Sequence, residues 1–201
     1  MTKAMERHSS DAALLEYACK TLMDLSVGNE DNKRRVAVAG GVEVLVKAMN
    51  DHPFDELLLQ HACVVLQNLS KERRTLIGAA GGVEAVTNAM QRHPTVVALL
   101  EHACKLLGNL SLGDDSNSRR INLAGGIKIL VNTMKRHATS PKIQDEATKT
   151  LFNLSSTRDV KRKVAEIARE AIKEAKRHYP YLIYPPMLLR RLNKWRFWRA
   201  I

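Results

Sequence analysis

The feature that most restricts this chain is a repeat of itself. Gly40 to Ser70 reads GGVEVLVKAMNDHPFDELLLQHACVVLQNLS, Gly81 to Ser111 reads GGVEAVTNAMQRHPTVVALLEHACKLLGNLS, and Gly125 to Ser155 reads GGIKILVNTMKRHATSPKIQDEATKTLFNLS. Met5 to Ser26, MERHSSDAALLEYACKTLMDLS, matches only the later part. The equivalent leucines Leu25, Leu69, Leu110 and Leu154 recur at intervals of 44, 41 and 44 residues, a period of the length used by stacked helical units. One such unit cannot bury its own apolar face, so neighbours must stack to complete a core. The reading is therefore an all-α solenoid of about four repeats, divided 1–27 (partial), 28–70, 71–111 and 112–155. Aromatic residues make up only 4% of the chain, so that core is built from Ala, Leu, Val, Ile and Met.

Each unit splits into short, medium and long helical pieces. In the second copy these are Asn32 to Ala39, Val42 to Met49 and Asp55 to Leu69. Gly40-Gly41 ends the first because a left-handed turn is inexpensive only for glycine. Pro53 ends the second by excluding helical geometry from the residue before it. The third carries Leu58, Leu59, Ala62, Cys63, Leu66 and Leu69 at helical spacing. The same pieces fall at Arg73 to Ala80, Val83 to Met90 and Thr95 to Leu110, and at Ser118 to Ala124, Ile127 to Met134 and Ser140 to Leu154. The first copy lacks any counterpart of residues 32–41, so Ala12, Ala13, Leu14, Leu15 and Tyr17 are expected to be partly uncovered. That fits a self-association surface, a fragment of a longer array, or an engineered array. Beyond Ser155 the pattern changes to a partial repeat and a basic, tryptophan-containing C-terminal cap helix over 156–201. Lys161 to His178 is expected to run on as one helix, because Ala168-Arg169-Glu170 replaces the glycine turn. Met187 to Ile201 is expected to be the last helix, placing Leu188, Leu192, Trp195 and Trp198 over the final repeat.

The three-helix plan, the Ala-Gly-Gly turns at Ala39, Ala80 and Ala124, the Arg34-Arg35, Arg73-Arg74 and Arg119-Arg120 pairs and the Asn-Leu-Ser endings resemble the armadillo repeat family over roughly residues 5–155. The resemblance implies a right-handed α-solenoid whose third helices line an inner, concave surface. It also implies a non-catalytic role in holding an extended or helical segment of a partner protein along that concave groove.

The residues agree with a non-catalytic role. No apolar run approaches the roughly 20 residues that span a bilayer, and Met1 to Ser10 lacks a signal-peptide core, so a cytoplasmic or nuclear setting is expected. Cys19, Cys63 and Cys104 share one repeat position. Equivalent helices pack about 8–10 Å apart, beyond the roughly 7 Å that a disulfide tolerates between Cα atoms, so these are buried thiols. His8, His52, His93, His137 and His178 occupy one turn in successive units and are separated in the same way, while His61 and His102 share a third-helix position. No metal-ligand spacing, phosphate loop or nucleophile–base motif is present, and neither an enzyme nor a cofactor is expected.

Binding residues are read from the third helices. Asp24, Asn68, Asn109 and Asn153 stand four residues after Lys20, Val64, Lys105 and Lys149, which stand four after Glu16, Gln60, Glu101 and Asp145. That spacing places each triplet along one helix face. Asn offers both a donor and an acceptor, so a ladder of them suits the amide groups of an extended peptide. In peptide-binding armadillo proteins such as importin alpha, an Asn at this position does so beside a Trp one turn earlier. Here that Trp is replaced by Lys20, Val64, Lys105 and Lys149, which favours a mixed or acidic segment in the manner of beta-catenin. The alternative is local hydrogen bonding by the asparagines.

Charge points to a second candidate. The net charge of +11 is concentrated at one end, at +2 over residues 1–155 and +9 over 156–201. Arg190, Arg191, Lys194, Trp195, Arg196, Trp198 and Arg199 on the last helix could therefore meet an anionic membrane or nucleic acid, or simply solvate the outside of a cap.

Overall fold

The computed structural model describes residues 1–193. Thirteen helices form among them: α1 (Thr2–Arg7), α2 (Ala12–Ser26), α3 (Glu30–Val38), α4 (Gly41–Asp51), α5 (Glu56–Ala79), α6 (Gly82–Arg92), α7 (Val97–Ser111), α8 (Asp115–Leu123), α9 (Gly126–Arg136), α10 (Pro141–Leu154), α11 (Arg158–Ile167), α12 (Arg169–His178) and α13 (Tyr184–Asn193). The long third helices α2, α5, α7, α10 and α13 stack one on the next, and the second helices α1, α4, α6, α9 and α12 form a parallel row. The apolar residues between the two rows make one continuous core.

The turn between first and second helices needs two glycines for two reasons. Gly81 lies at φ +85°, a left-handed conformation that costs side-chain-bearing residues. At Gly82 the obstacle is space: an added Cβ would sit 2.6 Å from Ile77 Cγ2 and 2.8 Å from the Ile77 carbonyl oxygen. Gly40-Gly41 and Gly125-Gly126 repeat the arrangement.

The turns between second and third helices are joined across repeats by their histidines. Nε2 of His52 donates to Ser9 O at 2.7 Å, His93 to Pro53 O at 2.8 Å and His137 to Pro94 O at 2.9 Å. In the last unit Tyr179 takes over, its hydroxyl donating to Ala138 O at 2.9 Å.

Four expectations are corrected. Arg73 to Ala80 is not a separate helix: α5 runs through it with a kink at Arg73 (φ −122°, ψ 22°). The loops entering α3 and α8 turn at Gly28 and Gly113, both at positive φ. This junction is the one with the 41-residue interval, and Lys71-Glu72 offers no such turn. Conversely, Lys161 to His178 is two helices, α11 and α12, meeting at Ala168 (φ −99°, ψ −11°). The last helix begins at Tyr184 rather than Met187, with Pro185 and Pro186 in its first turn, where their missing N–H groups are not needed. In the first unit only Leu15 departs from expectation, being buried, while Ala12 and Leu14 are half-buried, Ala13 is exposed and Tyr17 is 69% exposed.

The residues beyond Ser155 also fill all three places of a repeat. Leu188 and Leu192 are fully buried, and α13 packs on α10 as α10 packs on α7.

Candidate binding face on the third helices

The outward side of each third helix follows from what its inward side must bury. On α5, Ala62, Cys63, Val65, Leu66 and Leu69 are buried, which leaves Gln60, Val64 and Asn68 half-buried at the surface. On α7 the matching residues are Glu101, Lys105 and Asn109, all half-buried, and on α10 they are Asp145 and Lys149, half-buried, with Asn153 buried. Glu16 on α2 is half-buried, while Lys20 and Asp24 are exposed. Met187 and Arg191 continue the row on α13. Stacking thus brings the triplets of successive units onto one face.

The asparagines do more than face outward. Asn68 donates through Nδ2 to Ser26 Oγ at 2.9 Å, and Asn109 does the same to Ser70 Oγ at 2.9 Å. Asn153 donates to Gly108 O at 2.9 Å. Each ties its helix to the end of the preceding third helix, so this amide hydrogen is already committed. Among the described residues no hydrogen bond engages their Oδ1, which stays an acceptor. Sequence reasoning set a ligand ladder against local hydrogen bonding for these asparagines and gave the Ser of the Asn-Leu-Ser endings no role, so the bond to the preceding unit was missed. The signal for their pairing was the one-repeat offset between an Asn and the preceding unit's Ser.

Ion pairs divide the charged rungs unequally. Glu101 is paired with Lys142 at 2.6 Å, and Lys149 lies 3.8 Å from Glu146 and 6.0 Å from the centre of the Tyr184 ring. Lys20 and Lys105 make no ion pair among the described residues. Burial raises Asp145 above the usual carboxylate range, against the pull of Lys149. The next row holds the two third-helix histidines. His102 Nδ1 meets Gln67 Oε1 at 3.3 Å and burial lowers its pKa. His61 Nδ1 is buried without a partner, because Met23 stands where Gln67 stands one unit later.

Burial pushes the Cys19 and Cys63 thiols up to about 12, and that of Cys104 still higher. Such thiols are poor nucleophiles at neutral pH. Among the described residues, no group of His, Cys, Asp and Glu could hold a metal ion, and no helix is long and apolar enough to cross a membrane.

The basic end is less free than its composition implies. Arg190 is exposed. Arg191 turns inward, donating from Nη1 to Phe152 O at 2.9 Å and Ser155 Oγ at 3.4 Å, with its guanidinium 3.8 Å from the Phe152 ring centre. It occupies the place of the asparagines and makes the same kind of tie. Lys194, Trp195, Arg196, Trp198 and Arg199 lie outside the described residues.

Stacked three-helix units with paired-glycine turns and a continuous row of third helices define an armadillo-type α-solenoid. The sequence matches the LRRK2 ARM repeat model over residues 1–179, and the chain belongs to that family. No curated protein sequence matches it. Among solved structures, the chain is similar to an engineered protein at 26% identity and a TM-score of 0.73, covering 88% of this chain and 75% of that one. A second engineered protein aligns at 23% identity and a TM-score of 0.79 over 96% of this chain and 46% of that one. A designed armadillo repeat protein in complex with the peptide (KR)4 aligns at 17% identity and a TM-score of 0.72, covering 92% and 75%. The armadillo repeat fold is consistent with a protein-interaction scaffold, and solenoids of this kind are generally non-catalytic.

Proposed function

We propose that this protein holds an extended segment of a partner protein along its third-helix face, and that the segment is mixed or acidic in charge. The observation that carries this reading is the register of five stacked helices, which aligns half-buried polar side chains one repeat apart while leaving Lys20 and Lys105 without carboxylate partners. Asn68 and Asn109 contribute Oδ1 acceptors to ligand amides, and Lys20, Lys105 and Lys149 select charge. A designed armadillo protein binds (KR)4, and the lysines here oppose that preference.

The test is fluorescence anisotropy with labelled acidic, mixed and (KR)4 peptides. Lys20, Lys105 and Lys149 are changed together to Gln, which leaves every asparagine tie intact. Acidic peptides should bind the native chain more tightly than (KR)4, and the variant should lose about tenfold. Equal binding of all the peptides, unchanged by the variant, would remove the proposal.

A further inference from the structure

Ser155, Ser156, Arg158, Lys161 and Arg191 line an open cavity of about 420 Å³ where α10, α11 and α13 meet. Three cations converge there and no carboxylate is in the lining. Two acids beside α11 are engaged by other groups: Asp159 lies 3.4 Å from Arg119, and Asp115 accepts from the Thr157 hydroxyl at 2.6 Å. Among the described residues, no acid pairs with Arg158, Lys161 or Arg191.

Holding like charges together in partial burial is unfavourable, and both Lys161 and Arg191 show it. Burial lowers each pKa, and the Arg191 charge lowers that of Lys161 further. An anion bound between them reverses that penalty. The site is also pre-organised. Arg191 is fixed by Phe152 O, Ser155 Oγ and the Phe152 ring, so little side-chain freedom remains to be lost on binding. The serine hydroxyls donate to Phe152 O and Asn153 O, which leaves recognition to the cations. Because Thr157 spends its hydroxyl on Asp115, α11 has no side-chain cap over its first N–H groups, and an anion there is further favoured.

We propose that this cavity binds a phosphate monoester carried by a phosphorylated side chain of the partner segment. A planar guanidinium with two further cations matches a compact dianion better than a single carboxylate. A second hollow, of about 230 Å³ and lined by Phe152, Lys161, Met187, Arg190 and Arg191, shares two residues with the first and carries it to the third-helix row at Met187. A segment lying on that row can therefore place a phosphate here. The proposal rests on the groove reading for its peptide but not for its phosphate.

The experiment titrates the full chain with inorganic phosphate, at constant ionic strength against chloride, and with one acidic peptide with and without a terminal phosphoserine. Phosphate should saturate a single site. The phosphopeptide should bind about tenfold tighter than its unmodified form, and that gain should vanish in Lys161→Gln and in Arg158→Gln. The second variant is exposed and guards against misfolding of the first. Arg191 is left in place because it ties α13 to α10. Phosphate no better than chloride, or a phosphopeptide gain that survives both variants, overturns the site. So does Lys161-dependent binding to phosphatidylserine vesicles without phosphate binding, which would assign the patch to a membrane surface. Loss of phosphate binding with acidic-peptide binding retained removes only this site. Phosphate binding with no peptide binding removes the groove.

Discussion

The central repeats and the last one reach the same three-helix arrangement through different residues. Where the central units turn at Gly-Gly, the last turns at Ala168 with negative φ. Where they tie adjacent third helices with Asn68, Asn109 and Asn153, the last uses Arg191, and where they rivet the turns with histidine it uses Tyr179. Position in the stack, more than residue identity, sets each role: any side chain that reaches the preceding unit's carbonyl or hydroxyl from that place can serve. The central units have a neighbour on both sides, so their contacts are shared. Among the described residues the last unit packs against a neighbour on one side only.

The largest expected effect separates those two situations. Leu110 and Leu192 occupy the same third-helix position and both are fully buried. Leu110→Ala should cost about 2–5 kcal/mol and lower the urea midpoint followed by circular dichroism. Leu192→Ala removes the same atoms from the end unit, where stability is a sum of local and nearest-neighbour contributions. It should speed hydrogen exchange in α13 while α5 and α7 keep their protection. Equal loss of protection along the whole stack in both variants would show that the last unit is not a separable end.

A smaller effect tests the turns. Gly82→Ala forces a methyl against the Ile77 carbonyl and side chain, at a cost of about 1–3 kcal/mol. Ala168→Gly relieves nothing, because Ala168 is already in an ordinary conformation; it frees the unfolded chain and removes one methyl from the core, together about 1–2 kcal/mol. Thermal unfolding of the two variants measures the difference. If Gly82→Ala is as mild as Ala168→Gly, close helix approach is not what the second glycine provides.

Much of this architecture was legible in the sequence, because the period fixes which residues repeat and the glycines and prolines fix where helices end. The 44- and 41-residue intervals even contained the merger in α5, since the shorter one lacks the Gly-containing loop. The last unit hid its identity because Ala168 and Arg191 carry none of the motif. For the binding face, spacing located the outward row but not how its hydrogen bonds are spent. Asn68 and Ser26 lie 42 residues apart, and their pairing becomes visible only once the helices are stacked. The cavity at Lys161 was illegible for the same reason: it joins three helices whose residues show no local pattern.

The thiols provide the subtlest probe of the difference between inside and end. Cys19, Cys63 and Cys104 hold equivalent places and all are buried, but among the described residues no third helix stacks on the outer side of α2. Local opening should therefore expose Cys19 first. Iodoacetamide at pH 8, read by mass spectrometry, should label Cys19 well before Cys63 and Cys104, which should wait for global opening. The pH dependence has a defined sign. Burial raises the folded Cys63 thiol from 9.0 to about 12, so the unfolded state releases its proton first as pH rises. The stability associated with the buried thiol is fully present below pH 9 and declines as pH climbs from there towards 12. Cys63→Ala should abolish that part of the alkaline decline relative to the native chain, and an identical decline in both proteins would locate the alkaline sensitivity elsewhere.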